Sequence, residues 1–273
     1  MPDPLRALDD THRLTLLARA GHAARGVVYA LIGVLGFKLA IGDGGEAAGP
    51  GDALTHLADE PFGAIALWVI AAGLAAFAIW RFVDGARDSE GKGSKGKGLA
   101  LRAGFIGSGV AHAAMALTAA GIAMGSSSGG GGDGSAKSWS ATLLEQPFGR
   151  WLLGAVALGF IGHAGAQVWK AWKGSFLKHV ATDRLEPRTV RAVRMVGGAG
   201  IAARGVAWAL IGIFLIVAAV TYDASRAQGL GGALGELMDK PFGPWLLGTV
   251  AAGLVAFGIY NLVLGRYFVI RRG

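Results

Sequence analysis

Two arginines stand inside apolar stretches of this sequence, where a charged side chain is costly and therefore informative. Arg25 and Arg204 occur in the same motif, Ala-Arg-Gly-Val-x-aromatic-Ala-Leu-Ile-Gly. A charge at the centre of a membrane-spanning helix costs about 2.5–3.5 kcal/mol on insertion scales, so such residues are candidates for function. The favoured interpretation is that both side chains extend to phosphates at the inner membrane surface or pair within the bundle, with Asp84 as a candidate partner. The alternative is that they bind an anion or a lipid headgroup.

A third, more divergent copy of the motif replaces the arginine and the aromatic residue. Ser108 takes the place of the arginine and His112 that of the aromatic residue, while His163 replaces a phenylalanine of the next apolar stretch. Two membrane histidines could relay protons or bind a metal. They are an incomplete metal site without a nearby carboxylate, so hydrogen-bonded helix packing is the favoured alternative. We expect no metal and no other cofactor.

Further polar residues lie near the same expected depth. Gln167 and Asn261 align with Arg81 near the inner ends of three apolar stretches. Such residues would form one polar layer in the cytoplasmic half of the membrane. The candidate anion or headgroup site therefore comprises Arg25, Arg204, Ser108, His163, Gln167 and Asn261, and the candidate proton relay comprises His112 and His163.

Six apolar blocks must position these residues. They cover about 20–41, 62–83, 102–125, 148–169, 196–220 and 242–265. Each is near the roughly 20 residues that span a bilayer, and none has the spaced polar residues of an amphipathic soluble helix. No small-residue cleavage site follows the first block, so we expect no cleaved signal peptide. The sequence predicts an all-α integral membrane protein with six transmembrane helices.

Lysine and arginine are distributed asymmetrically around these blocks. Nineteen of the 26 lie in the two tails and in the second and fourth connections, whereas the other three connections hold three. Because such residues favour the cytoplasmic side, both termini are predicted to be cytoplasmic. The net charge of +8 comes from short basic runs beside the spans, so no nucleic-acid partner is expected.

The motif belongs to a larger repeated unit, which contains a span, a short outer helix ending in Pro-Phe-Gly, and a return span. The units cover 17–84, 99–170 and 192–266 within a single membrane domain, 1–273. Each unit contains two spans, so all three share one orientation, and parallel repeats are related by an axis along the membrane normal. We predict three parallel hairpin repeats with pseudo-threefold symmetry about that normal.

Small residues at matching places in the units indicate close helix packing, because they let backbones approach each other in lipid. A glycine-lined substrate path is the alternative interpretation. The expected packing residues are Gly26, Ala30, Gly109, Ala113, Gly205 and Ala209 in the first spans, and Gly73, Gly159 and Gly253 in the return spans.

The repeated blocks also carry a family resemblance. The arginine motif is paired with Pro-Phe-Gly-x-Trp-Leu-Leu-Gly-x-Val-Ala-x-Gly, and the units together cover nearly all of the chain. This pattern resembles the bacterial domain-of-unknown-function family 1206. The resemblance implies a six-span protein of the bacterial inner, or cytoplasmic, membrane and supplies no activity or catalytic residue.

Enzyme signatures are absent from the sequence. It has no phosphate-binding loop, no His-Glu-x-x-His helix and no nucleophile elbow in an α/β pattern, so we expect no enzyme. The predicted function is that of an accessory or structural membrane protein, which binds membrane lipids, a membrane protein partner or a second copy of itself. The alternative is a channel or transporter for a small anionic solute along the repeat axis.

The predicted orientation can be tested with single cysteines, because the chain has none of its own. We expect a membrane-impermeant maleimide added to intact cells to label Asp43→Cys in the first connection. Ser94→Cys in the second connection should react only after the membrane is permeabilised. The reverse pattern would invert the topology.

Overall fold

The computed structural model describes residues 4–88, 91, 93–126 and 133–270. Within these ranges the chain is helical apart from turns, short 3-10 segments and an isolated bridge between Val180 and Phe268. The α-helices are α1 (Pro4–Ala40), α2 (Pro50–Ala58), α3 (Gly63–Arg87), α4 (Lys97–Ala123), α5 (Asp133–Leu144), α6 (Gly149–Lys173), α7 (Pro187–Thr221), α8 (Leu230–Met238) and α9 (Gly243–Tyr267).

Six of these helices, α1, α3, α4, α6, α7 and α9, are long and apolar enough to cross a membrane. The shortest have 25 residues, or about 37 Å at 1.5 Å per residue, which exceeds the roughly 30 Å of a hydrocarbon core. The predicted all-α class with six spans is confirmed. The short helices α2, α5 and α8 lie in the predicted outer connections.

Each short helix leads into a sharp corner at Pro-Phe-Gly. Phe62, Phe148 and Phe242 have left-handed backbones, with φ of 64°, 60° and 62°. The glycine that follows each of them has no room for a side chain, because a Cβ there would collide with carbonyl oxygens of the preceding short helix. Glycine thus allows each return span to begin against the helix before it.

The spans pack in a cyclic order. Between repeats, α3 packs on α4, α6 packs on α7, and α9 packs on α1. Within repeats one and three, α1 packs on α3 and α7 packs on α9. In the described part of the chain, α4 and α6 of repeat two lack this extensive packing. The ring of spans is therefore open between α4 and α6.

Ring contacts at equivalent positions join the three repeats. In each repeat the ring at the aromatic position of the motif contacts the return span of the preceding repeat, and repeat three takes the place of the preceding repeat for repeat one. The ring centroids are 4.8 Å apart for Tyr29 and Phe257, 4.5 Å for His112 and Phe77, and 5.5 Å for Trp208 and His163. This recurrence supports pseudo-threefold symmetry, which stays a prediction.

The glycines explain how closely the spans approach. A Cβ on Gly258 would lie 2.7 Å from the carbonyl oxygen of Gly26 and 3.0 Å from the Cβ of Ala30, so α1 and α9 pack backbone to backbone. A Cβ on Gly73 would lie 2.6 Å from the Cβ of Ala24 on α1. Its counterpart Gly253 meets Ala203 on α7 in the same way.

The second repeat contributes to packing on one side only. Gly109 packs on Phe82 of α3, and Gly205 of α7 packs on Ala164 of α6. By contrast, a Cβ on Gly107 or on Gly159 would meet no described atom within 4 Å. The packing expectation for Gly159 is therefore corrected, because the helix that it would contact, α4, stands away from α6.

These contacts predict which glycines determine stability. We expect Gly258→Ala to lower the free energy of unfolding by about 1–3 kcal/mol, because overpacking forces the backbones of α1 and α9 apart. Gly162→Ala on α6 is the matched control, since its Cβ would meet nothing within 4 Å. Thermal unfolding in detergent, followed by circular dichroism, measures both. Equal midpoints would contradict the close approach of α1 and α9.

Candidate functional site

A cavity of about 610 Å³ occupies the place where α4 and α6 would pack. Gly107 and Gly159 line its walls. They occupy the positions in repeat two that correspond to Ala24 and Gly73, which contact each other in repeat one. The divergent Ser108 enlarges the space, because it lacks the long side chain that the other repeats have at this place. The cavity is thus a consequence of the sequence changes in repeat two and of the open ring.

One end of the cavity is polar. Arg204 of α7 lies there and donates through Nε to the hydroxyl of Tyr29, 3.2 Å away. Ser108 and His112 of α4 and His163 of α6 also line it. No carboxylate is among the described residues of the lining, so this end has a cation, a hydroxyl group and imidazoles without an acid.

The other end of the cavity is apolar. Met115, Val156 and Ile211 line it, and Pro50 and Leu230 close it near the short outer helices. Arg204 is the midpoint of α7, 17 residues from each end. Within the apolar block 196–220, however, it lies eight residues after the start and sixteen before the end, or about 12 Å and 24 Å along the helix axis. The polar end of the cavity thus lies in the half where this apolar block begins.

Arg25 lies behind the cavity rather than on its wall. Its side chain is buried, with the guanidinium carbon 4.6 Å from the ring centroid of Phe77 and 5.8 Å from that of Phe257. Arg204 also lies over Phe257, at 5.0 Å. The burial excludes the interpretation in which Arg25 extends to the membrane surface. Cation–π contacts contribute up to about 2 kcal/mol each when desolvated, which offsets part of the cost of burial.

The two arginines are not neutralised by an acid. In the described part of the chain, neither Arg25 nor Arg204 forms an ion pair with a carboxylate, and the Nε of Arg25 is buried without a hydrogen-bond partner. Asp84, the candidate partner, instead pairs with Arg81 at 3.4 Å. The interior around Phe257 therefore carries excess positive charge.

The expected polar layer is divided into separate groups. Asn261 is buried away from the cavity, where its Oδ1 lies 3.0 Å from Nδ1 of His22. Gln167 lies at the interface of α6 with α7, beside Gly205. Only Arg204, Ser108 and His163 of the six candidates line the cavity, because the other three project from faces of their helices that pack elsewhere.

Sequence reasoning missed His22, which contacts the rings of Phe77, Trp80 and Phe268. A signal was present in the repeats, because the equivalent residues Phe105 and Ile201 are apolar. A histidine that replaces an apolar residue at one of three matching places indicates a specific polar contact, which Asn261 supplies.

The two relay candidates line the same cavity but have different partners. The Nδ1 of His112 lies 2.7 Å from the carbonyl oxygen of Ser108, and its ring contacts Phe77. The ring of His163 contacts Trp208 instead. No cluster of three or more metal-ligating side chains occurs among the residues that the structure describes. This geometry favours helix packing over a relay.

The fold and the three repeated blocks define a multi-pass membrane protein built from internal repeats. The family model described as Domain of Unknown Function (DUF1206) matches residues 20–88, 103–174 and 199–267, so the chain belongs to this family. It is 36% identical over 249 residues to the uncharacterized protein YxxB of Bacillus subtilis (strain 168), covering 91% of this chain and 89% of that protein. No solved structure matches the chain significantly.

The open ring predicts a difference between equivalent cysteine pairs. We expect Ala24→Cys with Gly73→Cys to form a disulfide on oxidation after a shift of about 1 Å between α1 and α3, because their Cβ atoms would otherwise lie 2.6 Å apart, closer than the roughly 3.5–4.5 Å of a disulfide. Gly107→Cys with Gly159→Cys should not, because packed helices are needed to bring Cβ atoms within about 4.5 Å. The chain has no other cysteine to compete. Cross-linking of both pairs, seen by a gel shift, would mean that α4 and α6 close as the other repeats do.

Proposed function

We propose that this protein is an accessory membrane protein that binds an amphiphile with an acidic headgroup in the cavity between α4 and α6. The single observation that carries the proposal is the polarity of this cavity, which has Arg204 at one end and apolar side chains along the rest. Its volume of about 610 Å³ lies in the range of roughly 300–1,000 Å³ that is usual for ligand sites.

Electrostatics support an acidic headgroup. Arg204 and Arg25 both lie over the ring of Phe257, and neither has a carboxylate partner among the residues that the structure describes. A carboxylate or phosphate at Arg204 would compensate this charge and accept hydrogen bonds from its planar guanidinium. The opening between α4 and α6 offers access from the lipid, so the ligand need not pass through water.

Orientation supports the cytoplasmic leaflet as its source. With cytoplasmic termini in a bacterial inner membrane, the polar end of the cavity faces the cytoplasmic half, and an apolar chain would extend toward the outer corners. Binding of this kind requires no catalytic group, in keeping with the expectation that the protein is no enzyme. The alternative, an anion channel along the repeat axis, has less support, because Tyr29, Phe77 and Phe257 fill the interior beside Arg25.

Retention of phosphatidylglycerol by the purified protein, measured by native mass spectrometry, tests the proposal. We expect Arg204→Gln to weaken retention about tenfold or more, because a hydrogen bond to a charged group contributes about 1.5–3 kcal/mol. Arg150→Gln is the matched control, since Arg150 lies over Trp151 at the other end of α6 and outside the cavity.

A second variant tests the cavity itself. Gly159→Leu should fill it without a clash and reduce retention, whereas Gly162→Leu, one turn along α6 and outside the cavity, should not. Phosphatidylcholine, which has no net charge, should be retained less than phosphatidylglycerol by the unaltered protein. Equal retention by all variants and both lipids would refute a site at Arg204.

A further inference from the structure

A second, smaller cavity of about 250 Å³ adjoins the first on its apolar side. It lies between α5, α6 and α7, and the two cavities share Val156, Phe160 and Ile211 as walls. Leu143, Leu153 and Leu215 are among the residues that line the smaller one. An apolar space thus continues beyond the end of the larger cavity, under the short helix α5.

Phe160 stands at the boundary between the two spaces. Its ring lies 4.9 Å from that of Trp208, which lines the larger cavity one turn after Arg204. This ring contact restricts the Phe160 side chain on the side that faces the polar end of the larger cavity. Because tilted aromatic pairs attract each other beyond their buried area, this contact favours the position in which Phe160 lies between the two cavities.

The axial lengths match a chain of medium length in the larger cavity. From Arg204 to Ile211 is seven residues of α7, or about 10 Å, and from Arg204 to Leu215 is eleven, or about 16 Å. Ile211 belongs to the wall that the two cavities share, whereas Leu215 lines the smaller cavity. A straight hydrocarbon chain anchored by its acidic group at Arg204 would thus meet Phe160 before it could enter the smaller cavity.

We propose that the ligand is a single-chain acidic amphiphile, such as a medium-chain fatty acid, and that Phe160 sets the chain length that the site accepts. This inference rests on the proposed function. The single guanidinium at the polar end fits one carboxylate or one phosphate group. The smaller cavity under α5 has less than half the volume of the larger one, about 250 Å³ against about 610 Å³, so the continuation has room for one chain.

A chain-length series measures the effect of Phe160. Fatty acids from butanoate to stearate are titrated into the purified protein, and monopalmitoyl lysophosphatidylglycerol and dipalmitoyl phosphatidylglycerol are added as separate arms. For the unaltered protein, affinity should rise by about fourfold per methylene while each added group is buried, and then stop rising. In Phe160→Ala the rise should continue to longer chains, and in Phe160→Trp it should stop earlier.

Leu158→Ala is the matched control, because Leu158 lies on α6 but is exposed on the outside of the bundle. It should leave the dependence of affinity on chain length unchanged.

An unchanged dependence of affinity on chain length in both Phe160 variants would overturn the role of Phe160 while leaving binding at Arg204 intact. Binding of the two-chain lipid without any single-chain acid would overturn the ligand class alone, and lack of binding by every probe would refute the proposed function as well. Binding of the lysolipid but not of fatty acids would identify phosphate as the headgroup.

Discussion

The central constraint in this protein is the placement of a buried and a half-buried guanidinium group, those of Arg25 and Arg204, in an apolar bundle where no described carboxylate neutralises them. Arg25 and Arg204 share the ring of Phe257, and Arg204 donates a hydrogen bond to Tyr29. These contacts join α1, α7 and α9, so repeats one and three are held together around the two charges. The aromatic faces and one hydroxyl group do not neutralise this positive charge, which is the physical basis of the proposal that the ligand is anionic.

Divergence of one repeat creates the site. Repeats one and three close their own hairpins through a glycine on the return span and an alanine on the first span. In repeat two both places are glycine, the arginine is Ser108, and the two spans stand apart around a cavity. The intact copies therefore act as the scaffold, and the divergent copy supplies the space.

The same comparison explains the histidines. His112 and His163 occupy the aromatic places of repeat two, and each contacts an aromatic ring of a neighbouring repeat. Their ring contacts are those of the residues that they replace, so their first role is to keep the repeats packed. Their position on the cavity wall adds hydrogen-bonding capacity beside Arg204 without an acid.

The sequence by itself determined the class, the number of spans and the places of the outer helices, because hydrophobic length and repetition depend on local order along the chain. It also identified Arg204, Ser108 and His163, which break the apolar pattern. Only the tertiary structure decided that Arg25 and Asn261 face away from the cavity, that Asp84 pairs with Arg81, and that a Cβ on Gly159 would meet no described atom within 4 Å. Those outcomes depend on how far α4 stands from α6 and on which face each helix turns inward, and a periodic sequence pattern contains neither quantity.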